Sequence, residues 1–233
     1  MKTALLLFNL HIKPQQIEHF RQACIVSSGD PHALFSNEEK QPGGNVRHLN
    51  RYPLIQYRCS EGRAALWAAD AGIAAMDKWM KKPNHPFQFF DHDHHLQVWQ
   101  RDNNKNETVQ LLRGKQQHFY KLHHWIPFMK EENYQWWKNN RFGSDIEKTK
   151  KIETILFGHL ANFTTEIAGW KKERYEKIKP VIIEKSGSFV VRHHDTGITA
   201  FNIIFSANIA LPAGIGLGSL KSHGYGVLSE HVL

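Results

Sequence analysis

The chain has 233 residues, 41% hydrophobic and 22% charged, which excludes a disordered, collagen-like or membrane-embedded polypeptide and allows one large or two small domains. Thirty Lys and Arg against 22 Asp and Glu give a formal charge of +8, and 16 histidines can add to it beside phosphate, so a polyanion is the expected partner: nucleic acid or an anionic membrane surface. Cys24 and Cys59 are too few for a disulfide framework or a zinc ribbon, which fits a reducing cytoplasmic compartment.

Residues 3–12 form a short apolar run. Met1 to Leu10 has the look of a signal peptide, yet it continues into His11, Lys13 and Pro14 without a small-residue cleavage site, so a buried first strand is expected. No other apolar run approaches the roughly 18 residues a membrane span needs. Pro14 with Ile17, Phe20, Ala23 and Cys24 has helical spacing, Pro being tolerated in a first turn. Residues 27–44 are polar and turn-rich, a surface loop that contains His32. Residues 51–58 and 63–69 read as a hairpin about Ser60-Glu61-Gly62, and 71–82 as a helix that stops before Pro83. Residues 87–99 read as a further strand. The order β-α-β-β-α-β is the ferredoxin-like pattern, over residues 1–101.

The polar run 101–107 is expected to link this domain to a second, α+β domain at 108–233. There, 118–125 reads as a strand, 131–139 as a helix with Tyr134, Trp136 and Trp137, and Ile152, Ile155, Leu156, His159, Leu160 and Phe163 mark a long helix. Residues 179–184, 188–192 and 199–207 are β-branched or aromatic runs separated by turns.

Five glycines, Gly214, Gly216, Gly218, Gly224 and Gly226, fall in one short segment with Lys221 and His223. Glycine lets backbone amides turn toward a ligand and a phosphodiester approach closely, so a phosphate-cradling loop is expected. The segment lacks the Gly-Lys-[Ser/Thr] ending of a Walker A loop. Trp136, Trp137 and Trp170 lie among Lys138, Arg141, Lys171, Lys172, Arg174, Lys177 and Lys179, a pattern in which aromatic faces can stack bases while cations hold phosphates; core packing of the tryptophans is the competing expectation. Asp91-His92-Asp93-His94-His95 has metal-ligand chemistry, but on a strand His92 and His94 face away from Asp91, Asp93 and His95, and no metal site is assigned.

Asn208, Leu211-Pro212, Gly216-Leu217-Gly218 and Ser222-His223-Gly224-Tyr225-Gly226 together resemble the glycine-rich signature of the CRISPR repeat-RNA-processing endoribonucleases, in the repeat-associated mysterious protein superfamily. Tyr52-Pro53-Leu54-Ile55-Gln56-Tyr57-Arg58 followed by Gly62-Arg63 is similar to the hairpin of one branch of that family, and Asn133-Tyr134 is a weaker match. The resemblance implies two tandem ferredoxin-like domains and an endoribonuclease without cofactor. Its partner is a CRISPR repeat transcript, with other CRISPR effector proteins as further partners, no membrane, and a monomer or homodimer. The implied reaction is attack of a ribose 2′-hydroxyl on the adjacent phosphorus, giving 2′,3′-cyclic phosphate and 5′-hydroxyl ends. Histidine suits the acid and base roles, and His32 and His48 are the histidines in the implied part of the chain. RNA contacts are expected from Gly214, Gly216, Gly218, Lys221, His223, Gly224 and Gly226, and from Lys171, Lys172 and Arg174. This chain has Phe35-Ser36-Asn37-Glu38 where the branch carries Phe-His-Asn-His, and Ser219 where a lysine is common. A catalytically silent RNA-binding relative, and a metal-dependent nuclease using Asp91, His92, Asp93 and His94, stand as alternatives.

Overall fold

The computed structural model describes residues 1–29, 33–40, 45–49, 51–82, 87–104, 108–128, 131–140, 142–193 and 196–232. The chain divides into two units, one of residues 1–107 with 222–224, the other of 108–221 with 225–233.

In the first unit the order is β1 (Thr3–His11), α1 (Ile17–Ser28), β2 (Glu38–Lys40), β3 (Val46–His48), β4 (Ile55–Ser60), β5 (Arg63–Ala69), α2 (Ala71–Met80), β6 (Phe87–Phe89), β7 (His92–His94) and β8 (Val98–Asn104). The main sheet runs β4-β5-β1-β8 with every neighbour antiparallel, and helices join β1 to β4 and β5 to β8, which is ferredoxin-like. Alternate residues of β1, Ala4, Leu6, Phe8 and Leu10, are buried with Phe20 and Cys24 of α1 and Met76 and Trp79 of α2. The two-residue period of the strand thus meets the helical period of its covering helices, and each large side chain buried there contributes about 1.5–3 kcal/mol. Pro14 opens a 3-10 turn leading into α1, and Gly29 closes the helix with φ of 53°.

Three sequence expectations are corrected here. Residues 87–99 are not one strand: Phe90 and Asp91 take φ of 48° and 59°, folding β6 back on β7 as a separate hairpin before β8 begins. The polar run expected to be a linker starts inside β8, where Arg101 pairs with Asp77 of α2 at 2.6 Å; charge suits an edge strand. The turn-rich stretch after α1 contains strand β2, which pairs antiparallel with β3 just beyond it, whereas β4 starts only at Ile55 because Pro53 offers no N–H to a ladder.

The second unit contains β9 (Gln110–Leu111), β10 (His118–Trp125), α3 (Glu131–Asn139), α4 (Asp145–Ala168), α5 (Lys172–Tyr175), β11 (Pro180–Lys185), β12 (Phe189–His193), β13 (Thr196–Ala207), β14 (Ile209–Ala210) and β15 (Val227–Glu230). Its sheet runs β11-β13-β10-β15, with β12 also on β13, so the ferredoxin-like strand order recurs. Ser144 caps α4 by accepting from the Glu147 amide at 3.2 Å, and Gly169 ends it at φ 64°. Ile152, Leu156, Leu160 and Phe163 of α4 are buried, as are Tyr120, Leu122, Trp125, Ile203 and Phe205 of the sheet. Between β14 and β15, where the pattern calls for a second helix, runs the glycine-rich segment with one 3-10 turn, Lys221–His223. No described helix is long and apolar enough to cross a membrane.

Candidate active site

The first turn of α1 carries Glu18, and the spacing of Arg21 and Gln22 three and four residues later puts both beside it. Glu18 Oε1 accepts from Arg21 Nη1 at 3.2 Å and from Gln22 Nε2 at 2.9 Å. Its Oε2 lies 2.8 Å from Nε2 of His223, a partly buried ring whose Nδ1 lies 3.0 Å from Ser222 Oγ. Burial alone would raise the Glu18 pKa; the contacts with His223 and Gln22 and the charges of His223 and Arg21 outweigh it and hold the carboxyl at about 2. Glu18 is therefore ionised at neutral pH. Gly224 makes the approach of this strip feasible: at φ 81°, a Cβ there would sit 2.9 Å from the Tyr57 carbonyl oxygen.

Arg21 extends the cluster. Its Nη2 donates to the Ser36 carbonyl at 2.9 Å and lies 3.6 Å from the Glu38 carboxylate, and Ser36 Oγ donates to the Glu38 carbonyl at 3.0 Å. Ser36 and Glu38, the residues standing where the resembled branch has histidines, thus share an arginine with the Glu18–His223 pair. Of the two histidines expected to do chemistry, His32 lies outside the described residues. The backbone of His48 pairs with Glu38 across β2–β3, while its side chain lies outside the described part.

In the second unit, Tyr120 anchors the start of the glycine-rich segment: its hydroxyl donates to the Ile209 carbonyl and accepts from the Leu211 amide, both at 2.9 Å. Burial pushes the phenol up to about 12. The segment is a packed turn. The amides of Gly214, Leu217 and Ser219 donate to Leu228, Gly226 and Ile126 carbonyls at 2.8–3.0 Å, and that of Gly226 to His124 at 3.3 Å. Gly216, Gly218 and Gly226 are buried. A Cβ on Gly218 would meet the Ile126 carbonyl oxygen at 2.6 Å, and one on Gly226 the Leu217 oxygen at 1.9 Å, so these two shape the turn. Lys221 directs Nζ at the Gly218 carbonyl, 3.5 Å away, and burial lowers its pKa. Near it, the Trp125 indole N–H donates to His159 Nδ1 at 3.2 Å; burial, then the Lys221 charge, hold His159 at about 3, hence neutral.

Lys171, Lys172 and Arg174 are exposed around α5, with the Arg174 guanidinium 4.1 Å from the buried Trp170 ring. Trp170 is core, in line with the packing expectation, while Trp136 and Trp137 keep partial exposure with Lys151 and Lys148 at 5.6 and 6.0 Å from their rings. Arg141 lies outside the described residues. On the β6–β7 hairpin His92 and Asp93 are exposed and the His94 ring lies 6.0 Å from that of Phe89; among the described residues no three metal-ligating side chains come together. Sequence reasoning missed Glu18 and Ser222. The i, i+3, i+4 pattern of Glu18, Arg21 and Gln22 was readable, but its link to His223 exists only in the folded chain.

Residues 1–108 match the Cas6b N-terminal domain and residues 113–231 the Cas6b C-terminal domain. No curated protein matches the chain significantly. Among solved structures, a crystal structure of Cas6b is similar over 99% of this chain and 100% of that one, with TM-score 0.78 and 14% identity. A Cas6b described as a CRISPR RNA processing endoribonuclease is similar over the same shares, with TM-score 0.65 and 15% identity. Csf5, a type IV Cas6 crRNA endonuclease, is similar over 100% of both chains, with TM-score 0.59 and 12% identity. With two ferredoxin-like units and both family domains matched in order along its length, the chain belongs to the Cas6b family.

Proposed function

We propose that this chain binds CRISPR repeat RNA and cleaves it without metal, by attack of a 2′-hydroxyl on the adjacent phosphorus, leaving 2′,3′-cyclic phosphate and 5′-hydroxyl ends. The observation that carries this reading is the match of both halves to Cas6b domains. The reaction needs a base at the 2′-oxygen, an acid at the 5′-oxygen and positive charge near the phosphorane. His32 and His48 are proposed for acid–base work, His48 because its backbone sits opposite Glu38 at the edge of the Arg21 cluster. Lys221, His223, Gly214 and Gly224 are proposed to meet the RNA at the glycine-rich segment, with Gly216, Gly218 and Gly226 holding its shape. Lys171, Lys172 and Arg174 supply a sequence-independent phosphate contact.

A binding-only relative is the second reading, favoured by one observation: Ser36 spends its hydroxyl on the Glu38 backbone and is no proton carrier at neutral pH. Incubating labelled repeat RNA in EDTA, beside RNAs carrying a single 2′-deoxy at each candidate cut, separates the two. One cut that disappears with one deoxy substitution is expected. Cleavage only on adding divalent metal, or tight binding without a cut, overturns the reading.

A further inference from the structure

Glu18 Oε2 faces His223 Nε2 at 2.8 Å, and with Glu18 ionised two lone pairs would repel at that distance, so Nε2 carries a hydrogen. A neutral His223 then has its lone pair on Nδ1, and Nδ1 is the atom 3.0 Å from Ser222 Oγ. The Ser222 hydroxyl can therefore donate to it. Carboxylate, imidazole and hydroxyl succeed one another within the first unit, the carboxylate in ion-pair contact with the ring and the ring beside the hydroxyl, and the hydroxyl end belongs to the segment whose turn Gly224 makes feasible.

We infer that His223 accepts the proton of the attacking 2′-hydroxyl through Ser222, with Glu18 as positioning residue. The inference rests on the cleavage reading above. As O2′ bonds to phosphorus, its proton passes to Ser222 Oγ while the Ser222 hydroxyl proton passes to His223 Nδ1. The P–O5′ bond breaks, and the leaving oxygen takes a proton from the acid proposed among His32 and His48. The imidazolium so formed lies against the Glu18 charge, which holds the tautomer and offsets the new charge. Charged groups facing this cluster include Glu18 and Arg21 from α1 and Glu38 from β2; β4 approaches Gly224 with the backbone of Tyr57 and Arg58, whose phenol and guanidinium are bonded to the Phe35 carbonyl and to Gln56.

The test combines RNA binding, single-turnover cleavage from about pH 5 to 9, and nitrogen NMR of His223 in the RNA-free protein. Expected for H223A, with RNA bound at saturation so that any lost RNA contact is not read, is a loss of about 10²–10⁴ in cleavage rate and partial rescue by added imidazole. E18Q is expected to slow cleavage about tenfold and to move the acidic limb of the pH–rate profile to lower pH, a change that loss of packing would not produce. NMR is expected to show the Nε2–H tautomer. An H223A protein that cuts at the parent rate, or a neutral His223 protonated on Nδ1, overturns this inference while leaving cleavage intact. A parent protein that binds repeat RNA and never cuts it overturns both.

Discussion

His159 makes the fold acid-sensitive in a definable window. Its ring accepts from the Trp125 indole at 3.2 Å and is packed edge-on against it, near Lys221, so the folded protein binds the proton only near pH 3 and the unfolded chain near 6.5. A histidine whose folded pKa is depressed leaves stability undiminished above 6.5, and stability falls as pH drops toward about 3 because the unfolded state takes the proton first. Each pH unit in that window removes up to ~1.4 kcal/mol. Going from pH 7 to about 4.5 crosses two units of it, at most ~2.7 kcal/mol, and residual exposure of the side chain brings the expectation to ~2 kcal/mol. Glu18 acts in a lower window: its folded pKa is depressed from 4.5 to about 2, so its contribution is present above 4.5 and is lost below. Stopping at pH 4.5 therefore keeps most of the Glu18 contribution, and comparison with a His159 variant cancels that of His123, whose pKa burial and the neighbouring Lys121 and His124 charges also lower. In H159Q the amide oxygen keeps the bond to Trp125 but takes no proton. Urea unfolding of parent and H159Q at both pH values should show the parent losing ~2 kcal/mol more than the variant. Parallel losses, within ~0.5 kcal/mol, would refute the buried neutral imidazole.

G226A combines a left-handed φ of 63° with a Cβ 1.9 Å from a carbonyl oxygen, and should lower stability by more than ~2 kcal/mol in thermal unfolding. G187A, with open space and no positive φ, should stay within ~0.5 kcal/mol. In α4, Gly158 has nothing near its absent Cβ, so G158A should raise stability by ~0.5–1 kcal/mol in the same assay. Removing Lys171, Lys172 and Arg174 together should weaken RNA binding evenly across sequences and reduce the slope of log affinity against log salt by about 2; an unchanged slope would place the RNA elsewhere.

Elements with unbroken patterns were legible from the sequence. β1 is a short, unbroken apolar run, and α4 repeats its buried residues at three and four between a serine cap and a terminal glycine. The β6–β7 hairpin was illegible because its turn uses left-handed Phe90 and Asp91, of which only the aspartate belongs to the usual turn residues. The glycine-rich segment was visible by composition, but composition alone suggested open amides, whereas the fold bonds several of them to its own carbonyls. The Glu18–His223 pair joins opposite ends of the chain, and no local pattern encodes such a pairing.

Because residues 222–224 belong to the first unit, that unit is first to be synthesised and late to be finished. Roughly 115 residues separate its two pieces, which at ribosomal rates take on the order of 10 s to make. Throughout that interval the nascent α1 presents Glu18 with Arg21 and Gln22 but without its imidazole. A message truncated after codon 104 and before codon 223 therefore yields a protein that has its whole first sheet and still lacks the histidine that sheet's helix is built to receive.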